Sequence, residues 1–269
     1  MKYETIIGVL TYSQGHFLKS CLSSIANTVT DFEKNVIVVA NNSEDENYIA
    51  EVEQVVRAFH TNITTINFRR NRGTSAAWNA IARSYEATNI AILNDDVVVF
   101  PGWMRALELY MNIALLKHPF GLLGLHLRHG KELWETRNTS SHEEALLNLT
   151  FQETTYPAGS LLFFQQAIFN SLGGFDEHFW CGLEEVDFAI RVARQGYRNG
   201  YVHVRDSSYF FGNHYGSGTG YEYQQPAKEL INIHSPQFDY FEKKHGVPFP
   251  LPPAFEKDLR KYQTYEQQG

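Results

Sequence analysis

Cysteine is nearly absent from this chain: Cys21 and Cys181 are the only two in 269 residues. Two thiols, each inside a segment patterned like regular structure, exclude a disulfide framework and a cysteine metal site, and they point to an intracellular, cytoplasmic protein. Long apolar runs are missing too. The opening MKYETIIGVLTYSQG holds an apolar run of strand length, not a signal peptide's longer one, and no stretch approaches a membrane span. Without secretion, N-x-[ST] triplets such as those at Asn62 and Asn148 carry no functional weight. A basic excess is also lacking. Lys and Arg number 23 against 30 Asp and Glu, a net charge of -7 that opposes general binding of duplex nucleic acid, which needs clustered cations. Internal repeats and low-complexity segments are absent.

What is present is the balance of an ordinary globular protein, 43% apolar and 20% charged. Short β-branched runs at 5–10, 35–40, 64–68 and 90–93 alternate with helical patterns at 17–26, 48–59 and 74–85. That alternation predicts an α/β fold, a Rossmann-like, mainly parallel mixed sheet flanked by helices in a single domain. A helix is expected after Pro101-Gly102, then strands at 120–127 and 160–164, a helix at 184–194 closed by Gly196, and a strand at 201–204. The polar stretch 129–152 reads as a surface insertion or a loop over the site. Residues 1–245 are assigned to one catalytic domain, and 246–269, with Pro248, Pro250, Pro252 and Pro253, to a proline-rich C-terminal extension.

Four segments carry candidate chemistry. Asn94-Asp95-Asp96 ends an apolar strand, and in open α/β sheets the carboxyl ends of strands form the ligand edge. Hard oxygen donors there suit Mg²⁺ or Mn²⁺, although, taken alone, the pattern is better read as an acidic turn or helix cap. Glu184, Glu185 and Asp187 crowd a helix start beside Phe179, Trp180 and Cys181. They either complement the helix dipole or include a general base tuned by apolar neighbours. His214 stands in GNHYGSGTG, a glycine-rich segment where backbone can approach a ligand closely, although a lone histidine is usually a surface or core residue. Arg69, Arg70 and Arg72 surround Asn71 before a helix whose N-terminus could face an anion, and guanidinium forks match phosphate oxygens; a solvated basic loop is the other reading.

In this order the segments GVLTYSQGHFLKSCLSSI, VVANNSEDE, NRGTSAAWNAI, LNDDVVVFPGW, PAGSLLFF, GGFDEHFWCGLEEVDFAIRVARQGYR and HYGSG resemble the inverting family-two glycosyltransferases of the GT-A fold. The likeness is greatest to the rhamnosyltransferase-like branch that serves polysaccharide assembly. The resemblance implies an inverting, nucleotide-sugar-dependent hexosyl or deoxyhexosyl transferase with Mn²⁺ or Mg²⁺ as cofactor. The donor would be a nucleotide-diphosphate sugar, UDP first, then dTDP or GDP, and the acceptor a hydroxyl on a glycan.

It also implies roles. Thr11 and Tyr12 lie by the nucleotide, with Asn41 near the base. Asp96 takes the place of the metal-binding carboxylate, Asn94 that of the first acid of a D-x-D motif, and Asp95 contacts the ribose or donor sugar. His214 matches a later histidine that binds metal or diphosphate, and Arg72 meets the leaving diphosphate. Glu185, where the family usually has Asp, is the base, with Glu184 as its alternative. Gly159, Ser160, Phe179 and Trp180 are candidates for the acceptor pocket. Two other functions fit the same residues: transfer to a protein, small molecule or modified nucleic-acid base, and a non-catalytic sugar-nucleotide or glycan-binding module.

Overall fold

Apolar side chains alternate along the central strands, so each strand feeds two cores. In β1 (Tyr3–Thr11), Ile7 and Val9 face one core and Ile6 the other. In β2 (Asn35–Asn41), Ile37 and Val39 divide in the same way from Val36 and Val38, and in β4 (Ala87–Asn94) Ala91 and Leu93 divide from Ile90 and Ile92. Such strands are buried on both faces, which is the condition for a parallel sheet between helical layers. Each buried aliphatic or aromatic side chain contributes about 1.5–3 kcal/mol.

The structure, a computed structural model, describes residues 2–13, 15–59, 63–113, 118–129, 141–205, 209–215 and 227–255, the side chains of 227–235 excepted. The first core is covered by α1 (Gly15–Thr28), α2 (Glu46–Arg57) and α4 (Trp103–Met111), through Leu18, Leu22, Val52, Trp103 and Leu107. The second is covered by α3 (Thr74–Ala82), α6 (Gln166–Ser171) and α7 (Glu184–Arg194), through Trp78, Ile81, Phe169 and Phe188. A third, smaller core joins α7 to α8 (Ala227–His245) around Phe179, Ile190 and Phe241, and Leu251 of the proline segment packs into it.

The main sheet has eight strands in the order β3 (Ile63–Asn67), β2, β1, β4, β9 (Leu161–Gln165), β6 (Phe120–Leu125), β10 (Arg198–Val204), β8 (Leu149–Glu153). Only β9 and β8 run against the rest. A three-stranded sheet, β5 (Val97–Val99), β11 (Gly212–His214) and β7 (Arg128–His129), lies beside the carboxyl ends of the main strands. Among the described residues no helix is long and apolar enough to cross a membrane.

The mainly parallel mixed sheet is as expected, and the differences have local causes. The helix expected to reach Tyr85 stops at Ala82, because the Gln166 amide donates to the Ala82 and Tyr85 carbonyls (2.8 and 2.7 Å) while its oxygen accepts from Ala87 N. Within 129–152 the chain forms α5 (His142–Leu147) and β8, not one irregular insertion; residues 130–140 lie outside the described ones. Ser141 and Glu144 cap α5 reciprocally, and β8 completes the sheet edge against β10. The segment after 205 holds β11 and α8, the latter with Pro236 inside it.

Candidate active site

Because most strands run one way, Thr11, Asn41 and Asn94 arrive at one edge of the sheet. The reversed strand β9 brings its starting end to the same edge, where Asn94 N donates to Ser160 O at 3.0 Å. Just past β4 the chain turns through Asp95 and Asp96, which are 8% and 7% exposed. Asp95 N donates to Leu10 O, and the Thr11 hydroxyl, itself bonded to Tyr48 OH, donates to Asp95 Oδ2 at 2.5 Å. Burial pushes the Asp95 carboxyl up to about 7; the Thr11 hydrogen bond opposes the shift and the Asp96 charge adds to it. Tyr12, half-buried, lends its backbone amide to the same carboxylate.

The small sheet explains how His214 reaches this turn. Its residue pairs His214 with Val97, Tyr215 N donates to Asp96 O at 3.0 Å, and His214 Nε2 lies 3.3 Å from Asp96 Oδ2. A carboxylate and an imidazole thus converge from distant stretches. Among the described residues no group of three His, Cys, Asp or Glu side chains is arranged to hold a metal ion. Two ligands suit a divalent ion that takes its remaining oxygens from a diphosphate and water, as Mg²⁺ and Mn²⁺ commonly do.

On the β2 side lies an asparagine network, of which the sequence pointed to Asn41 and Asn71 but not to Asn42 and Asn67. Asn41 is fully buried; its amide donates to Asn67 and its oxygen accepts from Ser43 N. Asn42 accepts from Arg72 N at 2.9 Å and donates to Asn71 Oδ1 and Gly73 O, so it shapes the loop carrying Arg72. Arg72 is exposed, its guanidinium 5.4 Å from the Phe68 ring centre. The start of α3 is tied to the loop before α7: Thr74 N donates to Trp180 O and Ser75 Oγ to Phe179 O, both at 2.6 Å. Gly73, at φ 79°, allows that contact, since a Cβ there would lie 2.5 Å from Trp180 O.

The second acidic cluster begins α7. Gly182 and Leu183, both with positive φ (89° and 68°), turn the chain into the helix. Glu184 is buried and Glu185 half-buried. Gly159 sits against Glu185: a Cβ at that glycine would stand 3.6 Å from Glu185 Cδ and 3.0 Å from Trp78 Cη2. Through Gly159-Ser160, therefore, Glu185 and the Asp95-Asp96 turn flank one seam of the sheet edge. Tyr201, which sequence reasoning did not single out, joins them: its hydroxyl accepts from Ala158 N at 2.5 Å, and burial, with the Glu185 charge, raises its pKa.

Other grouped residues separate. Asp187 is fully buried and structural: Arg191 Nε lies 2.8 Å away, Lys244 Nζ 2.5 Å and His245 Nε2 2.9 Å. Burial would raise its carboxyl, but the His245 hydrogen bond and the Arg191 and Lys244 charges outweigh it and hold it low. Phe179 is likewise fully buried, inside the third core, whereas Trp180, Gly159 and Ser160 are half-buried. At the far half of the edge stand His126, past the end of β6, and His203, near the end of β10, with ring centres 5.9 Å apart. The Phe210 ring links them to Arg128, its centre 5.8 Å from that of His126 and 4.6 Å from the Arg128 guanidinium. Histidines scattered in the sequence gave no signal for this cluster.

A family model described as "Glycosyl transferase family 2" matches residues 6–173. An N-acetylglucosaminyl-diphospho-decaprenol L-rhamnosyltransferase of Mycobacterium tuberculosis is 23% identical over 272 aligned positions, covering 88% of this chain and 83% of that protein. Among solved structures, the mannosyltransferase PcManGT from Pyrobaculum calidifontis, in complex with GDP-Man and Mn²⁺, superposes with a TM-score of 0.65 at 17% identity, covering all of this chain (100%) and 71% of its own. S. aureus TarS 1-349 in complex with UDP-GlcNAc gives 0.61 at 12% identity, covering 86% of this chain and 64% of that one.

Proposed function

The chain belongs to glycosyl transferase family 2, with the GT-A fold and nucleotide-sugar-dependent transfer of that family, and from this membership we propose an inverting transfer, by single displacement, onto a hydroxyl of a glycan. The observation that carries the reading is the seam at Gly159-Ser160, with the Asp95-Asp96 turn on one flank and Glu185 on the other. One flank is suited to a sugar diphosphate and the other to an acceptor's proton.

In this reading Thr11, Tyr12 and Asn41 border the nucleotide, UDP before dTDP or GDP, and Asp95 and Asn94 face the ribose or donor sugar. Asp96 and His214 would hold Mn²⁺ or Mg²⁺, which when bound neutralises charge on the diphosphate. Arg72 adds a guanidinium to the same oxygens. Glu185, half-buried beside Trp78 and Gly159, takes the acceptor's hydroxyl proton as that oxygen bonds to the anomeric carbon. The bond from that carbon to the phosphate oxygen breaks on the opposite face, and its electron pair leaves with the nucleoside diphosphate. Ser160, Trp180 and the His126, His203 and Arg128 cluster border the acceptor's side. The cytoplasm suits a chain whose two cysteines, Cys21 and Cys181, are both buried thiols.

The relatives support the chemistry by name: one acts on a diphospho-linked acceptor, another binds GDP-Man and Mn²⁺. The test is incubation with a panel of UDP-, dTDP- and GDP-sugars, Mn²⁺ and glycan acceptors, with release of nucleoside diphosphate as the readout. Asp96→Ala and Glu185→Gln should each lower turnover by about 100-fold or more. Full turnover in Glu185→Gln would transfer the base to Glu184, and donor binding without turnover by the parent would make the chain a binding module.

A further inference from the structure

We propose that Gln237, on α8, is a positioning residue for the transfer: it fixes the backbone of the loop that carries Trp180 and leads into Glu184 and Glu185. The inference rests on the functional reading above. Gln237 is 5% exposed. Its side-chain oxygen accepts from Cys181 N and its amide donates to Cys181 O, both at 3.2 Å. One side chain thus satisfies both backbone groups of a residue in a connection without regular structure.

Its neighbours show what that grip completes. The two preceding carbonyls, of Phe179 and Trp180, are held from the other side by Ser75 Oγ and Thr74 N of α3. The two following residues, Gly182 and Leu183, both take the left-handed backbone region. A leucine resists that region, so the turn persists only where surrounding structure fixes it. Residues 179–181 are therefore clamped between two helices, and the strained turn directly after the clamp sets the direction in which α7 starts. Other α8 contacts hold the two ends of the same segment. Lys244 Nζ lies 2.6 Å from Asp176 Oδ2, Tyr240 OH donates to that carboxylate, and Lys244 and His245 meet Asp187. Tyr240, Phe241 and Lys244 also pack on the Phe179 ring, and among the described α8 side chains Gln237 is the one that hydrogen-bonds the backbone in the middle.

The consequence is a division of labour. Most donor-facing residues stand on or just past β1, β2 and β4, which Gln237 does not reach, while Arg72 is tied to Asn42 and His214 to Val97, so loosening this clamp should alter the rate step and spare donor affinity. Gln237→Met keeps the length and apolar packing but removes both hydrogen bonds, whereas Gln237→Ala removes packing as well. In Gln237→Met, kcat should fall about 10–100-fold, the loss expected when a reacting group shifts by roughly an ångström. Donor Kd should stay within about twofold, and backbone amide exchange in 179–183 should quicken about five- to tenfold with the rest of the chain unchanged. Gln237→Ala should show the same pattern; if it fails to fold, Gln237→Met decides. Parent-like kcat in Gln237→Met, unchanged exchange in 179–183, or donor affinity falling in step with kcat overturns the proposal. Should the parent turn over no donor, the functional reading fails, and exchange in 179–183 still judges whether Gln237 holds the loop.

Discussion

Gly159→Ala puts one methyl group into the seam between the two acidic clusters. The new Cβ would stand 3.0 Å from Trp78 Cη2, 3.6 Å from Glu185 Cδ and 3.7 Å from its Oε1. Carbon pairs settle at about 3.5–4.0 Å, so the Trp78 contact is short by roughly 0.5–1 Å while the Glu185 contacts are ordinary. Trp78 is 1% exposed and packs edge-on against Phe175 at 5.0 Å, so the indole has little room to retreat. The backbone at 159 must therefore shift, and the half-buried Glu185 carboxylate is packed against it. Overpacking of this kind costs about 1–3 kcal/mol. For a chain of this size each kcal/mol lowers Tm by about 2–4 °C, so the variant should remain folded. Catalysis should suffer more: displacement of Glu185 by a sizeable fraction of an ångström should lower kcat by about 10–100-fold, with donor KM nearly unchanged. Steady-state release of nucleoside diphosphate, beside a thermal melt, reads both quantities. A variant with parental kcat and a lowered Tm would show that Glu185 does no chemistry at this seam.

Other contacts give further outcomes. His214→Ala removes the imidazole 3.3 Å from Asp96, so the Mn²⁺ concentration for half-maximal turnover should rise about tenfold with little change in Tm; an unmoved Mn²⁺ dependence places the ion elsewhere. Asp187 and Asp176 both have depressed carboxyl pKa values, and Lys244 meets both. A depressed folded-state pKa adds stability above the ordinary carboxylate value of 3.8, and that stability is lost as pH falls through the folded value. Lys244→Met should therefore cost about 2–5 kcal/mol at neutral pH by leaving a buried carboxylate under-compensated, and should move acid unfolding to higher pH. Denaturant melts from pH 7 to pH 3 would show it, and a constant difference across that range refutes the linkage.

The features legible from sequence were those carried by local pattern. Alternating Ile and Val runs marked the parallel strands, Asn94-Asp95-Asp96 sat at a strand end as its apolar approach implied, and Gly196 follows the end of α7. Pairings that span the chain were not legible. No local signal tells that His214 pairs with Val97, or that Asn42 rather than Asn41 shapes the Arg72 loop. Asp187 looked like its neighbours Glu184 and Glu185 because a helix start crowds all three. Only the arrival of Lys244 and His245 from α8 makes it a structural anion. That helix escaped notice because Pro236 interrupts its pattern, whereas the Ser141 and Glu144 cap of α5 was present in the sequence as a recognisable spacing.

The reversal of β9 has one more consequence. Every other site-bearing strand of the main sheet delivers its loop on leaving the sheet, so changes there propagate into the helix or small-sheet strand that follows. Residues 154–160 instead enter the sheet, after a strand on its outer border, and end between the Asp95-Asp96 turn and Glu185. On the proposed function, variation in that short stretch would reshape the junction between two substrates while both flanking surfaces keep their own supports, a natural place for acceptor preference to diverge within one scaffold.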